Sequence, residues 1–310
     1  MAGKDDLPAF VSFTKKWHSE PSPSISPERS ELSAKGKNVV VTGGGTGIGK
    51  AIATAFAQAG AKSVSILGRR VDKLRETAAT VTALAPKGTE IAYRQADLQN
   101  RAQVDEALKS ITDQFGKIDV FISNAGYLPP PGELATYDVE TFMSGFELNV
   151  RTAFNAIQAF IKLAAPGAVL ISISTAMVHF AATPGMSAYT VSKAANLKMV
   201  DHFATENPQL HVVSIQPCWT PTDLNGHTEE APDKGSFPFL FLPISQKSGL
   251  QKRNISPWKL KRTSTYTLLT VKPSNSIQSN SLVTFASGSH LPRRNFSEIS
   301  LSGRIGMWMS

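Results

Sequence analysis

At 310 residues with 41% hydrophobic content, the chain has apolar material for one α/β domain with extensions and too much for wholesale disorder. Its formal charge of +8 is uneven: residues 228–310 carry 11 Lys/Arg against 4 Asp/Glu, and the first 227 carry 21 against 20. A body so near neutrality argues against nucleic-acid binding by charge, and the single cysteine, Cys218, excludes an internal disulfide framework and fits a reducing compartment.

Residues 1–36 are polar and dotted with Pro21, Pro23 and Pro27, and they are expected to form a leader laid over the surface. They hold Lys4, Asp5, Asp6, Lys15 and Lys16 without an apolar stretch, so a secretory signal is not expected. The regular pattern starts at Lys37. Strands are expected at 38–41, 63–67, 90–93, 118–123, 168–173 and 211–215. Helices are expected at 51–60, 71–84, 104–115, 138–164 and 187–207. Strands alternating with helices of this length imply a doubly wound parallel sheet of Rossmann type in a single domain over 37–226.

Beyond residue 226 the helical period disappears. Ser, Thr, Asn and Pro multiply, and basic residues cluster at Lys252-Arg253 and from Lys259 to Arg262. Only 266–271 and 281–285 read as strands, so 227–310 is expected to be an atypical, poorly structured tail. No run of about 18 apolar residues occurs, and no membrane span is expected; the expected location is cytoplasmic. Asn254-Ile-Ser256 and Asn295-Phe-Ser297 have the glycosylation pattern, read as chance matches without a signal.

The run Val40-Val-Thr-Gly-Gly-Gly-Thr-Gly-Ile-Gly49 joins the first strand to the first helix. Glycines at 43, 47 and 49 permit a tight turn and close approach to a pyrophosphate. The helix beginning near Ile48 then aims free N–H groups and its positive dipole end at the phosphates. The residues Leu67-Gly-Arg-Arg70 end the second strand, where enzymes that choose NAD place an acid for the ribose 2′-OH. With no acid there, Arg69 is the candidate partner for a 2′-phosphate, Arg70 the runner-up, and NADP(H) the expected cofactor.

The spacing Thr-Gly-x-x-x-Gly-x-Gly resembles that of the short-chain dehydrogenase/reductase family, with a flavour of fungal metabolite-tailoring reductases. Further matches follow in the family's order over roughly residues 37–225: Asp97-Leu98, Asn124-Ala-Gly126 and Tyr189-Thr-Val-Ser-Lys193. The resemblance implies Asp97 beside the adenine ring and Asn124 beside the adenosine ribose. Tyr189 would be the proton donor or acceptor, and Lys193 its neighbour, which also holds the nicotinamide ribose. A tyrosine with pKa of about 10 is a poor base at neutral pH. Lys193 lies one turn away on the same helix face, and its charge is expected to lower that pKa.

The family's third member is a hydroxyl after the fifth strand. Counting back 13 from Tyr189 reaches Ala176, but aligning the strand puts Thr175 in its place, with Ser174 the alternative. Asn149 matches the asparagine that holds a water near the lysine, and mid-helix asparagine is otherwise unfavourable. Thr222 is expected beside the nicotinamide carboxamide, although Cys218 stands where the family has glycine. His179 falls on a variable loop and is set aside as an acid/base.

The implied activity is interconversion of a ketone or aldehyde with an alcohol on a small organic molecule, in secondary metabolism, by a homodimer or homotetramer. The family's usual ending is not recognisable in 227–310. The alternative is therefore a catalytically impaired nucleotide-binding protein. A nucleotide-sugar epimerase is disfavoured, because its glycines are spaced Gly-x-x-Gly-x-x-Gly.

Overall fold

The computed structural model describes residues 23–226 apart from 180–181, 218–219 and 221. Cys218, most of the leader and the tail with its two expected strands lie outside the described residues. Among the described residues, six strands pair in parallel: β1 (Asn38–Thr42), β2 (Ser63–Gly68), β3 (Glu90–Gln95), β4 (Ile118–Ser123), β5 (Ala164–Ile173) and β6 (His211–Ile215). Their spatial order is β3-β2-β1-β4-β5-β6. The helices are α1 (Gly47–Gln58), α2 (Val71–Leu84), α3 (Arg101–Phe115), α4 (Val139–Phe146), α5 (Thr152–Leu163) and α6 (Ser187–Glu206).

Successive side chains of a strand point to opposite faces, so an unbroken apolar strand feeds two cores. Val39 and Val41 of β1 pack with Ile52 and Phe56 of α1 and Leu74 of α2. Val40, between them, joins Leu108 of α3 and Phe160 of α5 on the other face. There Phe121 of β4 stacks on Phe160 with ring centroids 4.8 Å apart. This doubly wound arrangement is the Rossmann-type fold expected from the alternation. Strand order reverses between β1 and β4, which opens a crevice at their carboxyl ends.

Three local features differ from the sequence pattern. Strand β5 starts at Ala164 rather than 168, beyond a register shift between Ile118 and Val120. The expected helix 138–164 is interrupted by a π segment, Glu147–Arg151, between α4 and α5. The domain's packing also begins before Lys37: Leu32 and Ala34 are buried, and the Ala34 N–H donates to the Ala59 carbonyl at 2.9 Å. That short apolar pair covers the end of α1, so the leader's last residues are part of the fold.

Candidate active site

The crevice is built first from the loop after β1. Gly43 and Gly47 have φ of +65° and +51°, the left-handed region that favours glycine. A Cβ on Gly49 would lie 2.2 Å from the Gly43 carbonyl oxygen, and one on Gly47 would lie 3.0 Å from Thr222 Cγ2. The loop is fastened from several sides. Asn124 Nδ2 donates to the carbonyls of Thr42 at 2.9 Å and Gly43 at 3.3 Å. Thr77 of α2 donates to the Gly45 carbonyl at 2.7 Å. Thr46, the residue before α1, makes no side-chain cap. The first-turn N–H groups, which include those of Ile48 and Gly49, have no intrahelical partner and are left for an anion. Glycine where side chains would fill the cradle, with an uncapped helix start behind it, fits the phosphates of a dinucleotide.

Asn124 therefore braces the loop, although the resemblance puts it beside a ribose. The half-buried Ile48 side chain turns to the first core, so only its backbone serves an anion. Thr222 is buried, and its N–H donates to Asn225 Oδ1 at 2.8 Å, which holds it over Gly47.

The two arginines after β2 behave differently. Arg69 is exposed, and its carbonyl accepts from Gln95 Nε2 at 3.0 Å. Arg70 reaches the loop: Nη2 donates to Thr46 Oγ1 and to Asp223 Oδ2, each at 3.3 Å. Asp97 accepts the Gln99 N–H on Oδ1 at 3.0 Å. Asn155 of α5 secures that turn by donating to the carbonyls of Leu98 at 2.9 Å and Gln99 at 3.2 Å. Neither Asn155 nor Thr77 was apparent from sequence, because nothing in a helix pattern announces a bond to a distant loop.

On the other side of the crevice, α6 carries Tyr189 and Lys193 one turn apart. Thr175 follows β5, and its hydroxyl is near enough to the Tyr189 phenol to favour the phenolate. Its Oγ1 also accepts the Met177 N–H at 3.3 Å. The Ser174 hydroxyl is buried and has no partner among the described residues. Of the two candidate hydroxyls, Thr175 is the one brought to the tyrosine. His179 is exposed.

Lys193 is only 5% exposed, and its Nζ donates to the Ile173 carbonyl at 2.6 Å. Burial lowers its pKa to about 8. Burial also raises the Tyr189 phenol above its ordinary value, and the nearby Thr175 hydroxyl only partly opposes this. The expected lowering of the tyrosine by Lys193 is thus outweighed in this structure: desolvation of the phenolate dominates, and the ammonium is drawn to Ile173.

Asn149 is fully buried in the π segment. Its Oδ1 accepts the Tyr127 N–H at 2.7 Å, and Nδ2 donates to the Tyr127 carbonyl at 2.9 Å and Ser192 Oγ at 3.0 Å. Both amide protons are used, so the side chain ties the chain after β4 to α6. A π turn carries one extra residue, which disrupts the helical ladder and releases backbone groups, a frequent device at functional sites.

The lysine has a consequence for stability. The folded chain loses this proton near pH 8, whereas the ordinary lysine value is 10.5. Between those values the unfolded chain holds more protons, so this group's contribution to stability rises with pH. Below that window the cost of burying the ammonium is fully present. Lys193→Met is expected to unfold at a higher temperature than the parent at neutral pH. The gap, on the order of 2–3 kcal/mol at most, should narrow as pH rises through the window. Thermal unfolding of both proteins against pH checks this, and a gap that stays constant would contradict it.

Comparison with known proteins gives a consistent result. The family described as short chain dehydrogenase matches residues 37–233. Short chain dehydrogenase tazN of Aspergillus terreus is 28% identical over 76% of this chain, and the chain spans about half of that relative (52%). Short chain dehydrogenase pigC of Monascus ruber is 30% identical over 71% of this chain and 73% of its own. A short chain dehydrogenase from Burkholderia cenocepacia, solved in complex with NADP, superposes with a TM-score of 0.57 at 29% identity, covering 62% of this chain and 77% of that one. No helix among the described residues is long and apolar enough to cross a membrane.

Proposed function

The chain belongs to the short-chain dehydrogenase family, and from that premise we propose that it interconverts a ketone or aldehyde with an alcohol on a small organic molecule, using NADP(H). The single observation that carries the reading is the Thr175–Tyr189 hydroxyl pair, set one helical turn from Lys193.

A bound nicotinamide supplies hydride to the carbonyl carbon or takes it from the alcohol. The chain's own groups manage the oxygen. Thr175 and Tyr189 present two hydroxyls to it, and Tyr189 gives the proton in reduction. Burial keeps that phenol protonated at neutral pH, so the resting tyrosine is an acid ready to donate. Lys193 supplies positive charge beside the path and returns a proton to the tyrosine.

The glycine loop, with the N–H groups of Ile48 and Gly49, would hold the pyrophosphate. Asp97 and Asn124 would flank the adenosine, and Thr222 the nicotinamide end. Arg69 and Arg70, with no acid between them and β2, would take a 2′-phosphate. The Burkholderia relative's NADP complex supports this choice. Val139, Met143 and Phe154 are exposed apolar side chains of α4 and α5, which supports a homodimer. A domain whose regular elements fall within 37–226, with Leu32 and Ala34 packed on it, and a role in secondary metabolism belong to the same proposal.

The test is fluorescence titration with NADPH and with NADH. NADPH is expected to bind more tightly. Arg69→Ala and Arg70→Ala should each weaken it by roughly 10-fold or more, since a charged hydrogen bond contributes about 1.5–3 kcal/mol, and NADH binding should hardly change. Tighter NADH binding would sink the cofactor assignment, and binding of neither would sink the enzyme reading for this chain. NADPH binding without turnover on a carbonyl panel would favour the impaired nucleotide-binding alternative.

A further inference from the structure

The buried face of α6 carries more polar groups than the Tyr189–Lys193 pair uses. Ser192 and Asn196, one turn apart, both grip the π segment. Ser192 Oγ accepts from Asn149 Nδ2 at 3.0 Å, and Asn196 Nδ2 donates to the Asn149 carbonyl at 3.1 Å. A carbonyl can only accept, so the second bond fixes which end of the Asn196 amide is nitrogen. The other end, Oδ1, is buried and has no partner among the described residues. Buried amide oxygens are rarely left in that condition.

A complementary deficit lies beside it. An ammonium has three donors, and Lys193, 5% exposed, spends one on Ile173. At 3.6 residues per turn, Asn196 sits about 60° around the helix from Lys193 and nearly one turn further along. Residues 189, 192, 193 and 196 form one continuous polar face. A buried water needs two to four polar partners, and positions 193 and 196 of this helix face carry a donor and an acceptor with unmet capacity.

We infer that Asn196 is a positioning residue of the proton path: Oδ1 accepts, through one bridging water, from the Lys193 ammonium, while Nδ2 holds the Asn149 carbonyl. The first bond keeps the lysine charged and oriented, and the second locks α6 to the π segment. The inference rests on the role given to Lys193 above. Burial alone draws the Lys193 pKa down, so an acceptor within reach counts for more than it would at the surface.

Among the described residues, few other charges bear on that lysine. On the elements packed against α6, the titratable groups are Glu140 of α4, the Glu147–Arg151 surface pair of the π segment and His211 at the start of β6. Lys198, Asp201, His202 and Glu206 lie on later turns of α6 itself. Tyr189 is the buried titratable neighbour.

The test is a titration that needs no substrate. Full-length protein labelled with 13C at lysine Cε is followed by NMR, and the Lys193 signal is the one lost in Lys193→Met. The parent midpoint is expected at about 8. Asn196→Leu removes the acceptor at similar bulk, so the midpoint should fall by about half a pH unit or more. Asn196→Asp puts a carboxylate in its place, so the midpoint should rise by a similar amount. Opposite shifts from one position support the proposal, because a purely structural clamp would change stability without moving the titration both ways. A midpoint unmoved in both variants, or moved the same way in both, overturns it. If Asn196→Leu does not fold, the isosteric Asn196→Asp decides alone: a rise supports the proposal and anything else overturns it. The signal titrates whether or not the chain reduces carbonyls, so failure of the proposed function would show separately.

Discussion

Tyr189→Phe is expected to lower kcat for carbonyl reduction by roughly 10²–10⁴-fold, the range for a positioned general acid, while NADPH binding stays within about threefold of the parent. The substitution removes one oxygen and keeps the ring, so packing of the largely buried side chain is preserved. The phenol lies near Thr175, and its loss leaves Thr175 as the remaining hydroxyl of the pair. Thr175 cannot replace the acid, because an alkyl hydroxyl is far more basic as an anion than a phenol. Stopped-flow oxidation of NADPH with the best substrate of a carbonyl panel, beside cofactor titration of the same protein, separates the two effects. Loss of turnover with intact binding is the expected pair of results. Turnover equal to the parent's would show that the proton comes from elsewhere and would remove Tyr189 from the proposed chemistry.

Gly49→Ala is the change expected to damage the cofactor site most. The added Cβ would lie 2.2 Å from the Gly43 oxygen, 2.7 Å from Asn124 Nδ2 and 2.8 Å from the Gly43 carbonyl carbon. Two of these atoms are backbone, and the third belongs to an amide already bonded to Thr42 and Gly43. None is the free end of a flexible chain, so relief requires α1 and the loop to separate. The expected cost is about 1–3 kcal/mol in stability, with NADPH affinity reduced by roughly 100-fold or more because loop and helix start must converge on the same phosphates. Gly68→Ala is the matched control, since its Cβ would meet only Leu74 at an ordinary 3.5 Å. Chemical denaturation and NADPH titration of both variants provide the measurement. Gly49→Ala binding NADPH as tightly as the parent would mean that the phosphates do not sit on this loop.

Much of this architecture could be read in the residues themselves. The alternation of apolar strands with periodic helices required a parallel sheet covered on both faces, because Val39, Val40 and Val41 in a row leave no face for water. Glycines 43, 47 and 49 after a strand marked a phosphate loop, because spacing along the chain sets the backbone turn. Tyr189 and Lys193 could be paired because an interval of four is one helical turn. These are local relations, determined by covalent geometry and short-range sterics.

Relations between distant segments were not readable. That Thr175 rather than Ser174 comes near Tyr189 depends on how the chain leaves β5 to meet α6. That Arg70, and not Arg69, bends back to Thr46 and Asp223 depends on where the chain after β6 returns. The π segment that interrupts the helix 138–164 has no sequence mark, because its Asn149 is held from another helix, donating to Ser192 Oγ and accepting from Asn196 Nδ2. Even the sign of the tyrosine shift was decided in three dimensions: the chain places a lysine one turn away, but packing buries the phenol and draws the ammonium to Ile173. The sequence by itself determined the strand–helix alternation, the tight glycine turn after β1 and the Tyr–Lys interval, since each is a local pattern along the chain. Only the tertiary structure decided which arginine meets Thr46 and Asp223 and which asparagines meet across the π segment, because burial and hydrogen-bond partners depend on segments far apart in the chain.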